Sequence, residues 1–261
     1  MWLKLYENSK LKSACTDKWA VRDYVKSLGL AEHLIPVLQV ADDVEEIVFE
    51  QLPKRFVMKC THGSGYNLII LNKKVIRFDE TKKQLAKWLN TDYSLINCEP
   101  HYRKIQPRIM IEQFLGEQNG QVPTDIKIHC FHGKPELIEL IVGRYSNEKY
   151  TVSLTPTWEP VHYYHMPETE SLMERPKTLE KMLEIAQKLS KPFTYVRVDL
   201  YDVGEKIYFG ELTFTPSACL EIEMSEPILK QLGDFIQLPI GNKEQVQTTS
   251  RIKNLWRKRY G

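Results

Sequence analysis

The sequence has few cysteines, and their arrangement argues against two common uses of the residue. Its 261 residues include five cysteines, and no two stand at the Cys-x-x-Cys spacing of a structural zinc site. An odd number of cysteines without regular spacing also argues against a disulfide framework. We therefore expect reduced thiols, no zinc and a cytoplasmic protein.

The chain also lacks a charge imbalance and a long apolar run. With 36 basic and 34 acidic residues, the formal net charge is only +2, which does not indicate nucleic-acid binding. Charged side chains interrupt the first residues, so these lack the apolar core of a signal peptide. No segment reaches the roughly 18 uninterrupted apolar residues of a membrane-spanning helix. We expect a soluble protein with no nucleic-acid partner.

Hydrophobic residues make up 42% of the chain, which is enough for a substantial core. Their spacing predicts strands and helices that alternate in the first half and an antiparallel sheet after residue 108. Residues 150–176 show no clean period and are expected to form a long irregular loop. Helices are predicted at residues 16–29, 81–89 and 179–189, an acidic amphipathic segment at 42–52, and strands at 56–58, 68–71, 109–111, 126–131 and 137–142.

The most informative segment is a predicted β-hairpin at residues 195–214. Side chains alternate between the two faces along a strand. Arg197 and Asp199 therefore share a face of the first strand, and Glu211 and Thr213 share a face of the second. Because apolar residues alternate with both pairs, we expect the four polar side chains on one face of the hairpin, with packing behind them.

The apolar faces of the two strands set the expected register. The apolar face of the returning strand is taken to be Tyr208, Leu212 and Phe214. Matching it to the first strand requires a turn with an odd number of residues. The simplest such turn is the loop 203–205, with Gly204 at a positive φ. This register places Arg197 opposite Glu211.

Two carboxylates and a guanidinium on one face suit a metal ion bound to phosphate. Mg²⁺ takes a few carboxylate oxygens together with phosphate oxygens, and an adjacent arginine can neutralise the remaining phosphate charge. A surface salt bridge between Arg197 and Glu211 is the alternative, because such pairs are common and nearly neutral in energy. The spacing alone leaves both interpretations open.

Together with its neighbours, the hairpin resembles the metal-binding end of the ATP-grasp fold. That fold has an Arg-x-Asp strand followed, after a short turn, by Glu-x-Asn. The corresponding residues are Arg197-Val-Asp199 and Glu211-Leu-Thr213. The other motifs occur in the order of the fold: Asp17-Lys18 with Arg22, then Lys59 with Thr61-His-Gly-Ser-Gly65, then Ile111-Glu-Gln-Phe-Leu115.

A closer resemblance is to one branch of that fold. The segments Lys59-Cys-Thr-His-Gly-Ser-Gly65, Asp125-Ile-Lys127 and Phe131-His-Gly-Lys-Pro135 are similar to motifs of the TupA-like ATP-grasp family. That family is associated with teichuronopeptide and other cell-surface polysaccharide synthesis. The resemblance covers roughly residues 16–238, and its strength lies in the ordered set of motifs.

The resemblance implies an α+β fold in which two α+β lobes enclose a nucleotide and the N-terminal pre-grasp lobe is reduced. Residues 1–50 would form this reduced helical segment, and residues 51–115 the small lobe with the glycine loop. Residues 116–240 would form the large lobe with the metal-binding hairpin. Residues 241–261 would be a basic tail.

The resemblance also implies ATP and Mg²⁺ as cofactors, with residues for each. The metal would be held by Asp199, Glu211 and Thr213. Arg197 would stabilise developing charge, and Arg144 would contact the substrate carboxylate or the tetrahedral intermediate. The nucleotide-binding residues would be Arg22, Lys59, Gly63, Ser64, Gly65, Glu112, Gln113, Phe114, Leu115, Asp125 and Lys127.

Structural alternatives remain open for several of these residues. Backbone N–H groups of residues 63–65 suit phosphate, but the same segment suits an ordinary hairpin turn. Asp125 and Lys127 share a strand face and could be solvated charges, and Arg22 could lie on an exposed helix face. His62 and the histidines of residues 162–165 suit either sugar contacts or loop packing.

Two departures from the family pattern affect what it implies. Thr213 stands where many ATP-grasp enzymes have Asn. Because a hydroxyl is a weaker oxygen ligand, coordination of a second metal ion is less expected. Ser217-Ala218 stand where a glycine is expected after Pro216, so the acceptor end of the site is expected to differ.

The implied reaction joins a carboxylate to an amine through an acyl phosphate. The expected enzyme is an ATP-dependent ligase that attaches an amino acid or amine to a uronic-acid-type sugar. A kinase of a sugar or glycan precursor and a non-catalytic nucleotide-binding scaffold are the alternatives. The basic segment 251–260 suits peripheral contact with an anionic inner membrane face or a disordered solubilising tail.

Overall fold

The computed structural model describes residues 1–116, 123, 125–142, 150–161, 174–220, 224 and 226–238. The α-helices are α1 (Trp2–Tyr6), α2 (Lys10–Thr16), α3 (Val21–Ser27), α4 (Phe78–Leu89), α5 (Tyr93–Ile96), α6 (Leu179–Ser190) and α7 (Glu226–Asp234). The strands are β1 (Val37–Ala41), β2 (Phe56–Cys60), β3 (Asn67–Ile70), β4 (Ile109–Gln113), β5 (Asp125–Phe131), β6 (Lys134–Val142), β7 (Tyr150–Leu154), β8 (Pro160–Val161), β9 (Tyr195–Val203) and β10 (Lys206–Thr213). Within these ranges, no helix combines the length and the apolar content that crossing a bilayer requires.

The smaller of two antiparallel sheets has the strand order β1-β4-β2-β3. Its strands form where buried and half-buried residues alternate, as in β2, where Phe56, Met58 and Cys60 have no exposed surface. Helix α4 packs on this sheet and places Leu85 in the same core. Strands β2, β3 and β4 and helix α4 confirm the predicted elements, with bounds that differ by a few residues.

The larger sheet has the strand order β10-β9-β5-β6-β7-β8. Helix α6 covers one face and confirms the helix predicted at residues 179–189. The apolar side chains that α6 buries are Leu179, Met182, Ile185, Ala186 and Leu189. Apolar residues of β5, β6, β7 and β9 complete this core, so the polar residues that alternate with them lie on the opposite face of the sheet.

That opposite face carries a row of polar side chains that crosses five strands. Glu211 on β10, Asp199 on β9, Lys127 on β5, Glu139 on β6 and Ser153 on β7 are successive cross-strand neighbours. The last four of these are buried. Burying charged groups is costly unless they are paired, so this face is a candidate for a functional role.

The irregular loop predicted at residues 150–176 is wrong in its first part. Strands β7 and β8 lie within it, and β7 pairs with β6 along its whole length. Val152 and Leu154 are buried in the main core. The sequence pattern is weak because a five-residue strand offers only two core positions, and its partner strand decides its conformation.

The single helix predicted at residues 16–29 is also wrong at its start. Helix α2 ends at Thr16 and α3 begins only at Val21. Between them Asp17 has an extended backbone, and its carboxylate accepts the Trp19 N–H at 2.8 Å. This local hydrogen bond competes with the helical one. The amphipathic segment at 42–52 forms two short 3₁₀ turns.

The hairpin of β9 and β10 differs from the predicted register. Val203 pairs with Lys206, so the turn has two residues rather than the predicted loop 203–205. A β-bulge at Gly210 supplies the extra residue instead. A Cβ at this position would lie 2.9 Å from the Asp199 carbonyl oxygen, so the bulge requires glycine.

The bulge changes which residues face one another. Asp199 lies opposite Glu211 and Thr213 lies opposite Arg197, so the predicted pairing of Arg197 with Glu211 is wrong. The bulge also removes Tyr208 from the apolar face. The buried side chains of β10 and the residue after it are Ile207, Phe209, Leu212 and Phe214. The four polar side chains nevertheless share one face, as expected.

Candidate functional site

A buried charge cluster is centred on Asp199, which is 2% exposed. Arg197 donates from Nε and Nη2 to the two carboxylate oxygens of Asp199, at 2.7 Å each. Lys127 Nζ donates to Asp199 Oδ2 at 2.7 Å and to Asp125 Oδ2 at 2.5 Å. Burial acts to raise the pKa of Asp199, but the charges of Arg197 and Lys127 outweigh it and lower that pKa. Asp199 is therefore ionised at neutral pH.

Glu211 and Thr213 extend this cluster toward solvent. The Glu211 side chain is 36% exposed, and its Oε1 lies 3.8 Å from Arg197 Nη2. The Thr213 hydroxyl donates to Glu211 Oε1 at 3.2 Å and accepts from Arg197 Nη2 at 3.1 Å. The hairpin therefore presents one buried carboxylate, one accessible carboxylate and one hydroxyl around a single guanidinium.

This oxygen set fits Mg²⁺ better than a transition metal. Mg²⁺ is commonly bound by one or two carboxylates, with water and substrate phosphates completing its shell. Asp199 and Glu211 supply two carboxylates, and Thr213 supplies a weaker oxygen. In the described part of the chain, no group of three His, Cys, Asp or Glu side chains forms a self-sufficient metal site. An ion held here would thus depend on a phosphate ligand.

A second cluster joins the small sheet to the N-terminal helices. Lys59 Nζ on β2 donates to Glu112 Oε2 on β4 at 2.6 Å. Arg22 Nη1 on α3 lies 3.6 Å from Glu112 Oε1. Glu112 is 4% exposed, so its charge needs both cations. The structure thus brings together three predicted nucleotide-binding residues from separate segments.

The remaining predicted hinge residues lie at the end of β4. Gln113 is the last strand residue and is exposed. Phe114 is buried, and its ring centroid lies 5.5 Å from the Arg55 guanidinium carbon. Leu115 is half-buried and continues beyond the strand. These positions leave the predicted adenine contact as an untested expectation.

The glycine loop is shaped by aromatic rings. A Cβ on Gly63 would lie 2.7 Å from the Tyr66 ring and 2.9 Å from the Tyr93 ring. Gly65 has φ of +75°, which favours glycine. His62 is buried, and its Nε2 lies 3.0 Å from the Trp88 carbonyl oxygen. Its burial lowers the pKa of His62, consistent with packing under the loop.

Lys18 is a site residue that the sequence prediction did not assign. Its Nζ donates to the Gly63 carbonyl oxygen at 2.6 Å and lies 3.6 Å from Glu211 Oε2. One lysine therefore links the glycine loop to the hairpin. Its presence in the Asp17-Lys18 motif was the available signal. Arg144 and residues 162–165 lie outside the described residues.

A pocket of about 400 Å³ opens beside these groups. Lys18 and Ser64 line it from the N-terminal side of the site, and Arg197, Glu211 and Thr213 from the hairpin. Further lining residues include Tyr93, Asn97, Glu99, Tyr102, Thr215 and Ser217, together with the apolar Leu212, Pro216, Ala218 and Leu220. Most of these side chains carry a hydroxyl, amide or charged group, so the pocket suits a polar ligand.

The family model for TupA-like ATP-grasp proteins matches residues 1–237. The chain belongs to the TupA-like ATP-grasp family. Membership accounts for the ordered motifs, and the fold is the ATP-grasp fold expected from them. A comparison with curated proteins gave no match.

Solved ATP-grasp structures are similar to this TupA-like chain in fold. The D-alanine–D-alanine ligase from Coxiella burnetii has 14% identity and a TM-score of 0.51, with 95% of this chain and 64% of that chain covered. The Bacillus anthracis enzyme, complexed with ATP, has 18% identity and a TM-score of 0.46, with 78% of this chain and 56% of that chain covered. The chain thus spans less than two thirds of either ligase.

Proposed function

We propose that the protein is an ATP-dependent carboxylate–amine ligase that forms an amide through an acyl phosphate. The supporting observation is the Asp199 cluster, where three carboxylates meet the cations Arg197 and Lys127 beside the pocket. Arg197 makes a bidentate contact with Asp199, and the more exposed Glu211 borders the same space. Such a set can hold a metal-bound triphosphate and neutralise charge that develops on it.

In this proposal, the residues of the two sheets hold ATP from both sides. Lys59 and Arg22 supply positive charge for the phosphates, and the N–H groups of residues 63–65 approach them closely. Asp125 and Lys127 contact the ribose or phosphates. Asp199, Glu211 and Thr213 would hold Mg²⁺, which supplies charge neutralisation on the phosphate oxygens when bound.

The proposed reaction has two steps. An oxygen of the substrate carboxylate attacks the γ-phosphorus, the bond to the β–γ bridging oxygen breaks, and ADP leaves. In this proposal Arg197 and Lys18, which line the pocket, stabilise the charge on the transferred group. The amine then attacks the acyl carbon, the carbon–oxygen bond to phosphate breaks, and a proton leaves the nitrogen. No covalent enzyme nucleophile is needed.

The pocket lining supports a polyhydroxylated acid, which we take to be a uronic-acid-type sugar. Hydroxyl and amide groups of Ser64, Asn97 and Tyr102 can exchange hydrogen bonds with sugar hydroxyls. We propose that an amino acid or amine is attached to this acid during surface polysaccharide synthesis. The proposed location is the cytoplasm, with the basic tail as a contact to the inner membrane face.

A mass-spectrometric screen tests this function. Pairs of uronic acids with amines or amino acids are incubated with ATP and Mg²⁺, and amide products, ADP and inorganic phosphate are measured. A ligase releases phosphate only when both substrates are present. A phosphorylated product formed from a single acceptor would contradict the ligase assignment and favour a kinase.

The same assay gives a prediction for the hairpin carboxylates. Asp199→Asn and Glu211→Gln should each reduce turnover at least about 100-fold, because each removes a charged oxygen ligand of the proposed Mg²⁺ ion. Glu205→Gln is the matched control, since Glu205 lies in the same hairpin and, in the contacts described, its side chain pairs only with exposed Lys177. Full activity in the Glu211→Gln variant would contradict the proposed metal site.

A further inference from the structure

The turn after β10 has a strained backbone. Ser217, Ala218 and Cys219 have φ values of +48°, +52° and +56°, and none of them is glycine. A single non-glycine residue with a positive φ is uncommon. Three such residues in succession persist only when the surrounding structure holds them in place. Glycine adopts such a conformation easily, so this chain maintains with three other residues a backbone that favours glycine.

A buried lysine from the opposite end of the chain holds this turn. Lys4 on α1 is 3% exposed, and its Nζ donates to the Ala218 carbonyl oxygen at 2.8 Å. A second tie is the hydroxyl of Thr215, which donates to the buried carboxylate of Glu99 at 2.5 Å. Burying an ammonium group is costly unless it is hydrogen-bonded, so the Lys4 contact is a specific one.

The held turn is a wall of the pocket. Thr215, Ser217 and Ala218 line the same cavity as Arg197 and Glu211. The turn follows directly from the strand that carries Glu211, so a shift in its backbone changes the space beside the reacting groups. The strain is therefore located where a substrate would bind.

The chemistry of this end of the pocket favours an amine. Glu99 lines the cavity, is 4% exposed and has the positive charge of Lys4 nearby. The other lining carboxylate, Glu211, lies near both Lys18 and Arg197. The Thr215 hydroxyl donates to Glu99, and Ser217 lines the same cavity. A carboxylate with neighbouring hydroxyls is a suitable environment for an ammonium or amine group.

We propose that Lys4 is a positioning residue for the amine substrate: its contact with Ala218 keeps the strained turn in the shape that receives the nucleophile. This inference rests on the proposed ligase function. Lys4 does not touch the reacting atoms. Its effect is transmitted through the backbone of residues 217–219, and a glycine at position 218 should make it dispensable.

Steady-state kinetics with an acid and amine pair found in the screen test this role. Lys4→Met should raise the KM for the amine at least tenfold and change the KM for ATP less than twofold. Adding Ala218→Gly should restore the amine KM, because glycine needs no clamp at a positive φ. Thr194→Val is the matched control, since it removes another tie of the N-terminal segment, the Thr194 hydroxyl to Glu7, without touching the turn.

A substrate-free measurement accompanies the kinetics. Hydrogen exchange of the full chain with Mg²⁺ and AMPPNP should show faster exchange at Ala218 and Leu220, whose N–H groups donate within the turn, in Lys4→Met. Ala218→Gly should again restore protection. If Lys4→Met does not fold, Thr215→Val cuts the second tie and should give the same pattern.

The outcomes separate the two proposals. If no acid and amine pair gives an amide, the ligase assignment fails and the amine role of Lys4 fails with it. If amide forms and Lys4→Met has the wild-type KM for the amine, only the positioning role is overturned. An equal rise in the KM values for amine and ATP, or no rescue by glycine, would likewise overturn it.

Discussion

Among single residues, His101 is an example of burial controlling charge. It is 1% exposed, and burial, reinforced by the nearby charges of Lys12 and Lys4, lowers the pKa of His101 to about 3. In the unfolded chain the pKa of a histidine is about 6.5. Between these values only the unfolded state binds the proton, so the native state loses stability as the pH falls below about 6.5.

This difference predicts a measurable pH dependence. From pH 7 to pH 5, His101 should reduce the free energy of unfolding by about 2 kcal/mol. Urea denaturation of the wild type and of His101→Leu at both pH values measures it, because the variant lacks the titrating group and should lose less stability over this range. Equal losses in the two proteins would show that His101 is protonated in the folded state.

Lys59 is predicted to matter for nucleotide affinity. It pairs with the buried Glu112 at 2.6 Å, and ATP phosphates are the proposed alternative partner. Lys59→Met should weaken binding of Mg²⁺-AMPPNP by about 10–100-fold, the cost of one hydrogen bond to a charged group. Isothermal calorimetry measures this, with the exposed Lys26→Met as control. Unchanged affinity would place Lys59 outside the nucleotide site.

Among the structural elements, the β9–β10 hairpin depends on its bulge. Gly210 lets β10 shift by one residue, which turns Glu211 and Thr213 toward Arg197 while Leu212 and Phe214 face the core. Without the bulge, the residues before Gly210 and those after it could not both place their apolar side chains on the core face and their polar side chains on the opposite face.

Gly210→Ala should therefore both destabilise the protein and reduce activity. Its Cβ would meet the Asp199 carbonyl oxygen at 2.9 Å, and relieving such overpacking typically costs about 1–3 kcal/mol. Thermal unfolding and turnover measure the two effects. Gly233→Ala in α7 is the control, because, apart from its chain neighbours and its own helix backbone, no described group lies within 4 Å of the place that its methyl group would take. Wild-type stability and turnover in Gly210→Ala would contradict the role of the bulge.

For the whole molecule, the proposed nucleotide site is built from both sheets and the N-terminal helices. A ligand that binds only the native state stabilises it, by about 2.7 kcal/mol at a concentration of 100 times Kd. For a chain of this size, that corresponds to a rise in Tm of roughly 5–10 °C. We expect this rise with Mg²⁺-AMPPNP.

Differential scanning calorimetry of wild type and Asp199→Asn tests that expectation. In the variant, Mg²⁺ should increase the Tm little or not at all beyond the effect of the nucleotide alone, because a proposed metal ligand is removed. Magnesium-free buffer with EDTA is the control for nucleotide binding alone. The same Mg²⁺-dependent rise in both proteins would place the metal elsewhere.

Local patterns were sufficient for much of the fold and for part of the site. The alternation of residues in β2, β5 and β9 predicted strands at the observed places, and helix α6 was predicted almost to the residue. The polar face shared by Arg197, Asp199, Glu211 and Thr213 also followed from alternation. Such predictions succeed because the period of a strand or helix is a property of consecutive residues.

The sequence by itself determined family membership, strands β2 to β6, the β9–β10 hairpin, helices α4 and α6, and which residues of the hairpin are polar-facing. Tertiary structure decided the register around Gly210, the partnership of Lys59 and Arg22 with Glu112, the link from Lys18 to Gly63 and Glu211, and the contact of Lys4 with Ala218. These contacts join residues that are far apart in the chain or depend on an extra residue in one strand. No local period encodes them, because they form only when separate elements pack and their buried charges must find partners.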